Sequence, residues 1–405
     1  MKKQTVFQPK VWFMGLILAL MLAACGGNQP AEKPKEKPAK EEPAAESEKE
    51  EPKEEAKEEE PAADTSGGSE FCGDSSKRAD TLNFFNWGDY IDEEIMTQFE
   101  AECGVKVVQD IFSSNEDMIA KVQVGNSGYD LVVPSDYAID IMVKGGMLAE
   151  IDKSNIPNMS NLNPLLIGLY YDPDNKYSVP YQWGTTGIAY NITSFPDGPP
   201  DSWAALFDPE QVCQNSGFVS MLDDERESIG AVLMYLGYSY NDTDPAHHEE
   251  AKQILLAQKD CLASYDSDNF DQALAGEEIF LAHAWSGDTA LGRDENENVH
   301  FLIPKEGGAI WQDNFAIPVD APNQYTAELF INYVLDPEIG GQLSNYAYTF
   351  TPNQASEEFL DEDYFELLKT GGMLLEDSDY DRLEWIQRDD DTIIFSDTWT
   401  AVKAQ

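Results

Sequence analysis

Four short stretches of this chain set an aromatic ring close to a carboxylate, and a fifth is a dense acidic turn. The four are Trp87-Gly88-Asp89-Tyr90, Pro134-Ser135-Asp136-Tyr137, Trp285-Ser286-Gly287-Asp288 and Ile310-Trp311-Gln312-Asp313; the turn is Asp223-Asp224-Glu225-Arg226-Glu227. A carboxylate offers an ammonium group charge-assisted hydrogen bonds. An indole or phenol face attracts a cation by ~0.5–2 kcal/mol, depending on desolvation, and the same face packs against methylenes. Two carboxylate clusters separated by an aromatic wall would suit a linear diamine or triamine, charged at its ends and apolar between. Core packing is the reading for Trp183, Trp203 and Trp399, and a helix cap or solvated turn for Asp89 and Asp223.

The elements that must hold these stretches alternate between strand and helix. Residues 81–86 form an apolar-aromatic strand. Asp92 can cap a helix with Ile95, Met96 and Phe99 on one face, and Gly104 can end it. Residues 105–111 are rich in β-formers. Ser113 and Glu116 have capping-box spacing ahead of a helix carrying Met118, Ile119 and Val122. Residues 130–133 read as a third strand, and residues 138–144 as a helix stopped by Gly145-Gly146. Later strands are predicted at 218–222, 279–284 and 300–303. This order implies an α/β protein with mainly parallel sheets flanked by helices. In such sheets ligands bind at loops beyond the carboxyl ends of strands, where the aromatic–carboxylate stretches fall.

The chain begins with Lys2, Lys3 and Lys10 around an apolar run, residues 11–24, too short for the ~20 residues of a membrane-spanning helix. Leu22-Ala23-Ala24-Cys25 resembles the lipobox of bacterial lipoproteins, which implies a signal peptide over residues 1–24 and a lipid anchor on Cys25. Residues 25–70 are built almost wholly from Ala, Glu, Lys, Pro, Ser and Gly, so they read as a disordered spacer. Of the chain's 26 basic and 76 acidic residues, the first seventy hold ten and fifteen. The remaining 335 residues therefore carry 16 basic and 61 acidic, a net of -45. That field repels nucleic acid and attracts cations. Cys72, Cys103, Cys213 and Cys261 allow three disulfide pairings. Cys72–Cys103 with Cys213–Cys261 is preferred because each pair stays within one region of the chain.

An enzyme finds little support. Histidine is limited to His247, His248, His283 and His300, and neither GxSxG nor HExxH occurs. His247-His248 reads as an exposed helix start. Asp266-Ser267-Asp268 begins like a calcium loop, but Asp271 stands where Gly is required and Phe270 at a ligand position. No metal or cofactor is expected.

Several segments together, Phe84-Phe85-Asn86-Trp87-Gly88-Asp89-Tyr90, Tyr129-Asp130-Leu131-Val132-Val133-Pro134-Ser135, Pro304-Lys305-Glu306-Gly307-Gly308 and Trp311-Gln312-Asp313, resemble the spermidine/putrescine-binding proteins of bacterial ABC importers. The resemblance implies a two-lobed, type II periplasmic-binding fold with a polyamine held in the cleft. Lobe 1 would comprise 71–184 plus 311–357, and lobe 2 would comprise 185–310 plus 358–405. It further implies that Trp87 and Tyr90 line the cleft, and that Ser135 and Tyr137 lie opposite one end of the ligand. Asp224 and Glu227 would grip one ammonium group, Trp285 and Trp311 would wall the methylenes, and Asp313 would hold another amine. Asp288 matches an acidic position of putrescine-type relatives. The family's hydroxyl residue after Trp87 is replaced by Gly88. A family Tyr aligns with Tyr348, and a C-terminal contact with Gln387. A monomer is implied, lipid-anchored at the periplasm or cell surface and delivering ligand to a membrane-embedded permease. The rival readings are the same fold binding another solute, and a surface sensor or adhesin.

Overall fold

The computed structural model describes residues 70–387 and 393–404. The expected signal peptide, Cys25 and nearly all of the expected spacer lie outside the described residues. The strands are β1 (Thr81–Trp87), β2 (Lys106–Phe112), β3 (Leu131–Val132), β4 (Ser178–Asn191), β5 (Val219–Met221), β6 (Ser264–Tyr265), β7 (Leu281–Trp285), β8 (Val299–Leu302), β9 (Gly308–Ala316) and β10 (Leu383–Trp385). Their order is β2-β1-β3-β9-β4-β7-β5-β6, with β8 on β4 and β10 on β9. The flanks are parallel, β1 with β2 and β3 on one side and β5 with β6 and β7 on the other. The centre is antiparallel, because β9 returns along β4. The sheet is therefore mixed. The β4–β9 pair is long, shifts register once between Pro180 and Gln182, and sets Gly184 opposite Trp311 and Thr185 opposite Ile310.

Local chemistry explains the first elements. Helix α1 (Glu93–Cys103) starts where the Asp92 carboxylate accepts from the Glu94 N–H and ends at Gly104, whose φ of 67° suits a residue without Cβ. Ile95, Phe99 and Cys103, each four residues apart, face the core. Helix α2 (Asn115–Val122) is capped by Ser114, not Ser113; the Ser114 hydroxyl accepts from the Asp117 N–H. The register of β2 explains the shift, since the strand stays paired as far as Phe112 opposite Trp87 and leaves Ser113 in the turn. Helix α3 (Asp136–Lys144) begins two residues earlier than predicted. Its N-cap Ser135 makes no side-chain cap bond, because its hydroxyl is used elsewhere.

Further along are helices α4 (Glu225–Tyr235), α5 (Pro245–Gln258) and α6 (Ser286–Glu295). The apolar interior gathers around two main centres. One joins Phe84, Phe99, Phe315 and Phe330, with ring centroids of the Phe84–Phe330 and Phe99–Phe330 pairs 5.6 and 5.1 Å apart. The other joins Trp203, Phe207, Tyr240 and Phe395. Tyr137 and Ala138, expected in lobe 1, pack in this second centre, so the walls on either side of the cleft are in contact. Trp203 is fully buried and donates to the Gly307 carbonyl at 2.8 Å. Disulfides join Cys72 to Cys103 and Cys213 to Cys261. The predicted exposed histidine pair is corrected. His247 stacks on Tyr238, and His248 is buried between the Thr398 hydroxyl and the Asp242 carbonyl because α5 packs on the helix Ile393–Lys403.

Candidate functional site

A cavity of about 430 Å³ opens among the strand ends. Trp87, Tyr90, Ser135, Tyr137, Asp224, Glu227, Trp285, Asp288, Trp311 and Asp313 all line it. They come from the end of β1, the start of α3, the first turn of α4, the β7–α6 junction and the middle of β9.

At one end Asp313 is held by two hydroxyls. Ser135 donates to Oδ1 and Tyr90 donates to Oδ2, each at 2.6 Å. Asn115 fixes Ser135 in turn, its amide nitrogen donating to the Ser135 hydroxyl and its carbonyl oxygen accepting from the Ser135 N–H, both at 3.0 Å. Burial raises the Asp313 carboxyl to about 6, against the opposing pull of the two hydroxyls. At the other end Glu227 accepts from the Trp285 indole N–H at 2.9 Å, the Thr186 hydroxyl at 3.0 Å and the Tyr240 hydroxyl at 2.6 Å. Burial and the neighbouring Asp224 push it up to about 7. Asp224 caps α4, accepting from the Arg226 and Glu227 N–H groups, and burial raises its carboxyl as well. Asp288, in the first turn of α6, is pushed up to about 7, chiefly by burial and then by Asp271.

The aromatic walls are positioned with equal economy. The Trp87 indole donates to the Val133 carbonyl at 2.9 Å and leans on Phe112. Trp311 lies over Gly184, where a Cβ would stand 2.5 Å from Cζ2, so only glycine lets the indole settle there. At Gly88, by contrast, a Cβ would meet nothing within 4 Å, and the lost family hydroxyl leaves open space.

Two expected contacts fall outside. Tyr348 ends the helix Pro337–Ala347 in a left-handed conformation with φ 51° and stacks parallel to Tyr364, which turns its ring away from the cavity. Gln387 is exposed and offers its carbonyl to Arg226 at 2.7 Å, while Ile386 reaches the cavity wall. Asp223 is a surface partner of Lys403, whereas Asp89, read as a turn residue, sits on the cavity rim with φ 50°. Asp136, Arg226, Asp268 and Asp271 also line the cavity, although the resemblance assigns none of them a contact. Arg226 lies 3.8 Å above the Phe395 ring and donates to Asn241 at 3.0 Å. The site thus presents carboxylates at both ends of an aromatic-walled slot, which is chemistry for binding cations. Among the described residues no group of three or more His, Cys, Asp or Glu is placed to hold a metal ion.

Residues 94–364 match the model of the family described as bacterial extracellular solute-binding protein. The chain is similar to the putrescine/cadaverine-binding protein of Pseudomonas aeruginosa, with 37% identity over 70% of this chain and 82% of that one. It is similar to the spermidine/putrescine-binding periplasmic protein of Escherichia coli, with 38% identity over 69% and 80%. Among solved structures it is similar to a Listeria monocytogenes protein assigned to spermidine/putrescine ABC transport. That match has 36% identity and a TM-score of 0.75, covering 80% of this chain and 99% of that one.

Proposed function

Because the chain belongs to the bacterial extracellular solute-binding proteins, with their type II periplasmic-binding fold, we propose that its cavity captures a polyamine outside the cytoplasm for delivery to an ABC importer. It is a solute-binding transport protein and not an enzyme. The observation that carries the reading is the pairing of two buried, hydroxyl- and indole-braced carboxylates, Asp313 and Glu227, across a slot walled by Trp285 and Trp311. Asp313, Glu227 and Asp224 receive the ligand's ammonium groups, and the two indoles cover its methylenes. Trp87, Tyr90, Ser135 and Tyr137 close the Asp313 end, and Asp288 adds a further carboxyl in the cavity wall. In this reading residues 71–184 with 311–357 and residues 185–310 with 358–405 move as two lobes, with β4 and β9 crossing between them. Ligand contacts to both lobes favour the closed form, since only differential affinity shifts such an equilibrium. Cys25 carries the lipid anchor, residues 25–70 give reach to the permease, and the protein works as a monomer.

Isothermal titration calorimetry of the purified chain with putrescine, spermidine and a monoamine tests the reading. One-to-one saturable binding of a diamine or triamine, with the monoamine far weaker, is expected. Weak multi-site binding that disappears with salt would mean only titration of the acidic surface, and the reading would fall.

A further inference from the structure

The turn at Asp266 and the helix that follows it, Phe270–Ala275, bring a part of the cavity wall to which the resemblance gives no role. The Asp266 carboxylate accepts from the Asp268 and Asn269 N–H groups, each at 3.0 Å, and so shapes the turn into the helix. Phe270 is buried and packs edge-on to Trp285, with ring centroids 6.4 Å apart. Asp271 comes next. Its main chain lies directly against α6 at Gly292, where a Cβ would stand 2.8 Å from the Asp271 carbonyl oxygen. Just past α6 the Asn296 side chain donates to the Ala275 carbonyl at 3.0 Å, which ties the two helices a second time.

Asp288 stands one turn before Gly292, on the same face of α6. The docking of Asp271 on Gly292 therefore makes Asp271 and Asp288 neighbours. Both line the cavity, and both are partly exposed. They differ in one respect from the carboxylates at the ends of the slot. Asp313 is served by two protein donors and Glu227 by three. Among the described residues no side chain donates to Asp271 or Asp288, and neither forms an ion pair. Burial, and after it the Asp271 charge, raises the Asp288 carboxyl. Burial raises the Asp271 carboxyl as well, opposed by its own N–H and that of Gln272. The other charges that act on the two, Asp89, Asp268 and Glu295, are all acidic. Neighbouring carboxylates without a counter-charge favour a proton between them in the empty cavity, and a cation can take its place.

We propose, resting on the polyamine reading above, that Asp271 is a ligand-binding residue: with Asp288 it forms a two-carboxylate clamp in the cavity wall that holds one ammonium group of the polyamine.

The test is calorimetry of the wild-type chain, Asp271→Asn and Glu295→Gln with spermidine and putrescine, with thermal melts to confirm folding. Glu295→Gln makes the same change of charge at an exposed residue of α6 that does not line the cavity. A hydrogen bond to a charged group corresponds to roughly 10- to 100-fold in affinity. At pH 8 Asp271→Asn should lose about that much for the tighter-binding of the two polyamines, and Glu295→Gln should stay within about threefold of wild type. At pH 6.5 titrations in buffers of different ionisation heat should show Asp271→Asn releasing fewer protons on binding than wild type, a difference that a merely structural role would not produce. If Asp271→Asn does not fold, Asp271→Ser serves, with the same expectations. Affinity within about threefold of wild type overturns the assignment of Asp271 and leaves the polyamine reading intact. So does an equal loss in Asp271→Asn and Glu295→Gln, which would reduce Asp271 to part of the acidic field, and so does unchanged proton release. A wild-type chain that binds neither polyamine overturns both.

Discussion

Replacing Asp313 by Asn separates ligand binding from stability, because the two should move in opposite directions. Asn is nearly isosteric, so the cavity keeps its shape. It retains one acceptor oxygen, and of the two hydroxyls that now donate at 2.6 Å, from Ser135 and Tyr90, one must turn to accept from the new amide. The ammonium loses its buried counter-charge. Truncating one partner of a buried charged pair costs roughly 2–5 kcal/mol, so a loss near the middle of that range, about 3 kcal/mol, means ~100-fold weaker binding. The empty protein should respond in the other sense. Burial holds the Asp313 carboxyl at about 6, above its ordinary value of 3.8. The folded chain then binds more protons than the unfolded chain between those values, and stability falls as pH rises through that window. Above it the penalty is complete, on the order of 2–3 kcal/mol at 1.36 kcal/mol per pKa unit. Asp313→Asn removes the penalty, so the variant should be the more stable empty protein at pH 8 and lose that advantage at pH 4. Calorimetry with the tightest-binding polyamine and urea unfolding at both pH values give the two readouts. Binding within about threefold of wild type would refute the role of Asp313, and lower stability at pH 8 would refute the electrostatic account.

Gly184→Ala should drive a Cβ into Trp311, at 2.5 Å from Cζ2 in the present geometry, and weaken polyamine binding by roughly 5- to 150-fold for an overpacking cost of about 1–3 kcal/mol; an unchanged Kd with unchanged tryptophan fluorescence counts against the indole as a wall. Glu227 and Asp288, both pushed up to about 7, hold protons in the empty cavity below neutrality and must release them to a cationic ligand. Affinity should therefore rise from pH 5.5 to pH 8, and calorimetry at pH 6.5 in buffers of different ionisation heat should detect proton release; an absence of buffer dependence contradicts this. Replacing Cys213 and Cys261 by Ser should lower unfolding free energy by about 2–5 kcal/mol in urea titration, while the Kd, set at a cavity that neither residue lines, stays constant.

The parts of the structure legible in sequence are those dictated by near neighbours. Asp92 and Gly104 announce both ends of α1 because capping needs only the next few N–H and C=O groups. The aromatic–carboxylate stretches stand out because strand ends in such sheets converge on one cleft, and the eight residues that the resemblance picks from them line the cavity, as do Asp224 and Glu227 of the acidic turn. What escaped depends on distant partners. The cap of α2 could be either of two adjacent serines until the β1–β2 register is known. Arg226 is the lone base of an acidic turn in the sequence, and nothing local tells that Phe395, from the far end of the chain, covers it. Asp136 belongs to the stretch Pro134-Ser135-Asp136-Tyr137, and its place between Ser135 and Tyr137, both singled out, was the available signal. Tyr348 failed for the opposite reason, since a row of aromatic residues at 346, 348 and 350 gives no local means of telling which one faces inward.

The long-range packing of Phe84 and Trp203 bears on when the chain can fold. Phe84 is covered by Phe315 and Phe330, and Trp203 shares its cluster with Phe395 and Val402. Neither apolar centre can be completed until most of the polypeptide has been made. Contacts so remote in sequence slow folding, and a partial chain leaves β3 and β4 without the partner β9. For a protein destined for the far side of a membrane the delay is useful. A translocation channel passes extended chain, and a nascent polypeptide with no early stable core stays threadable until its last strands and helices emerge.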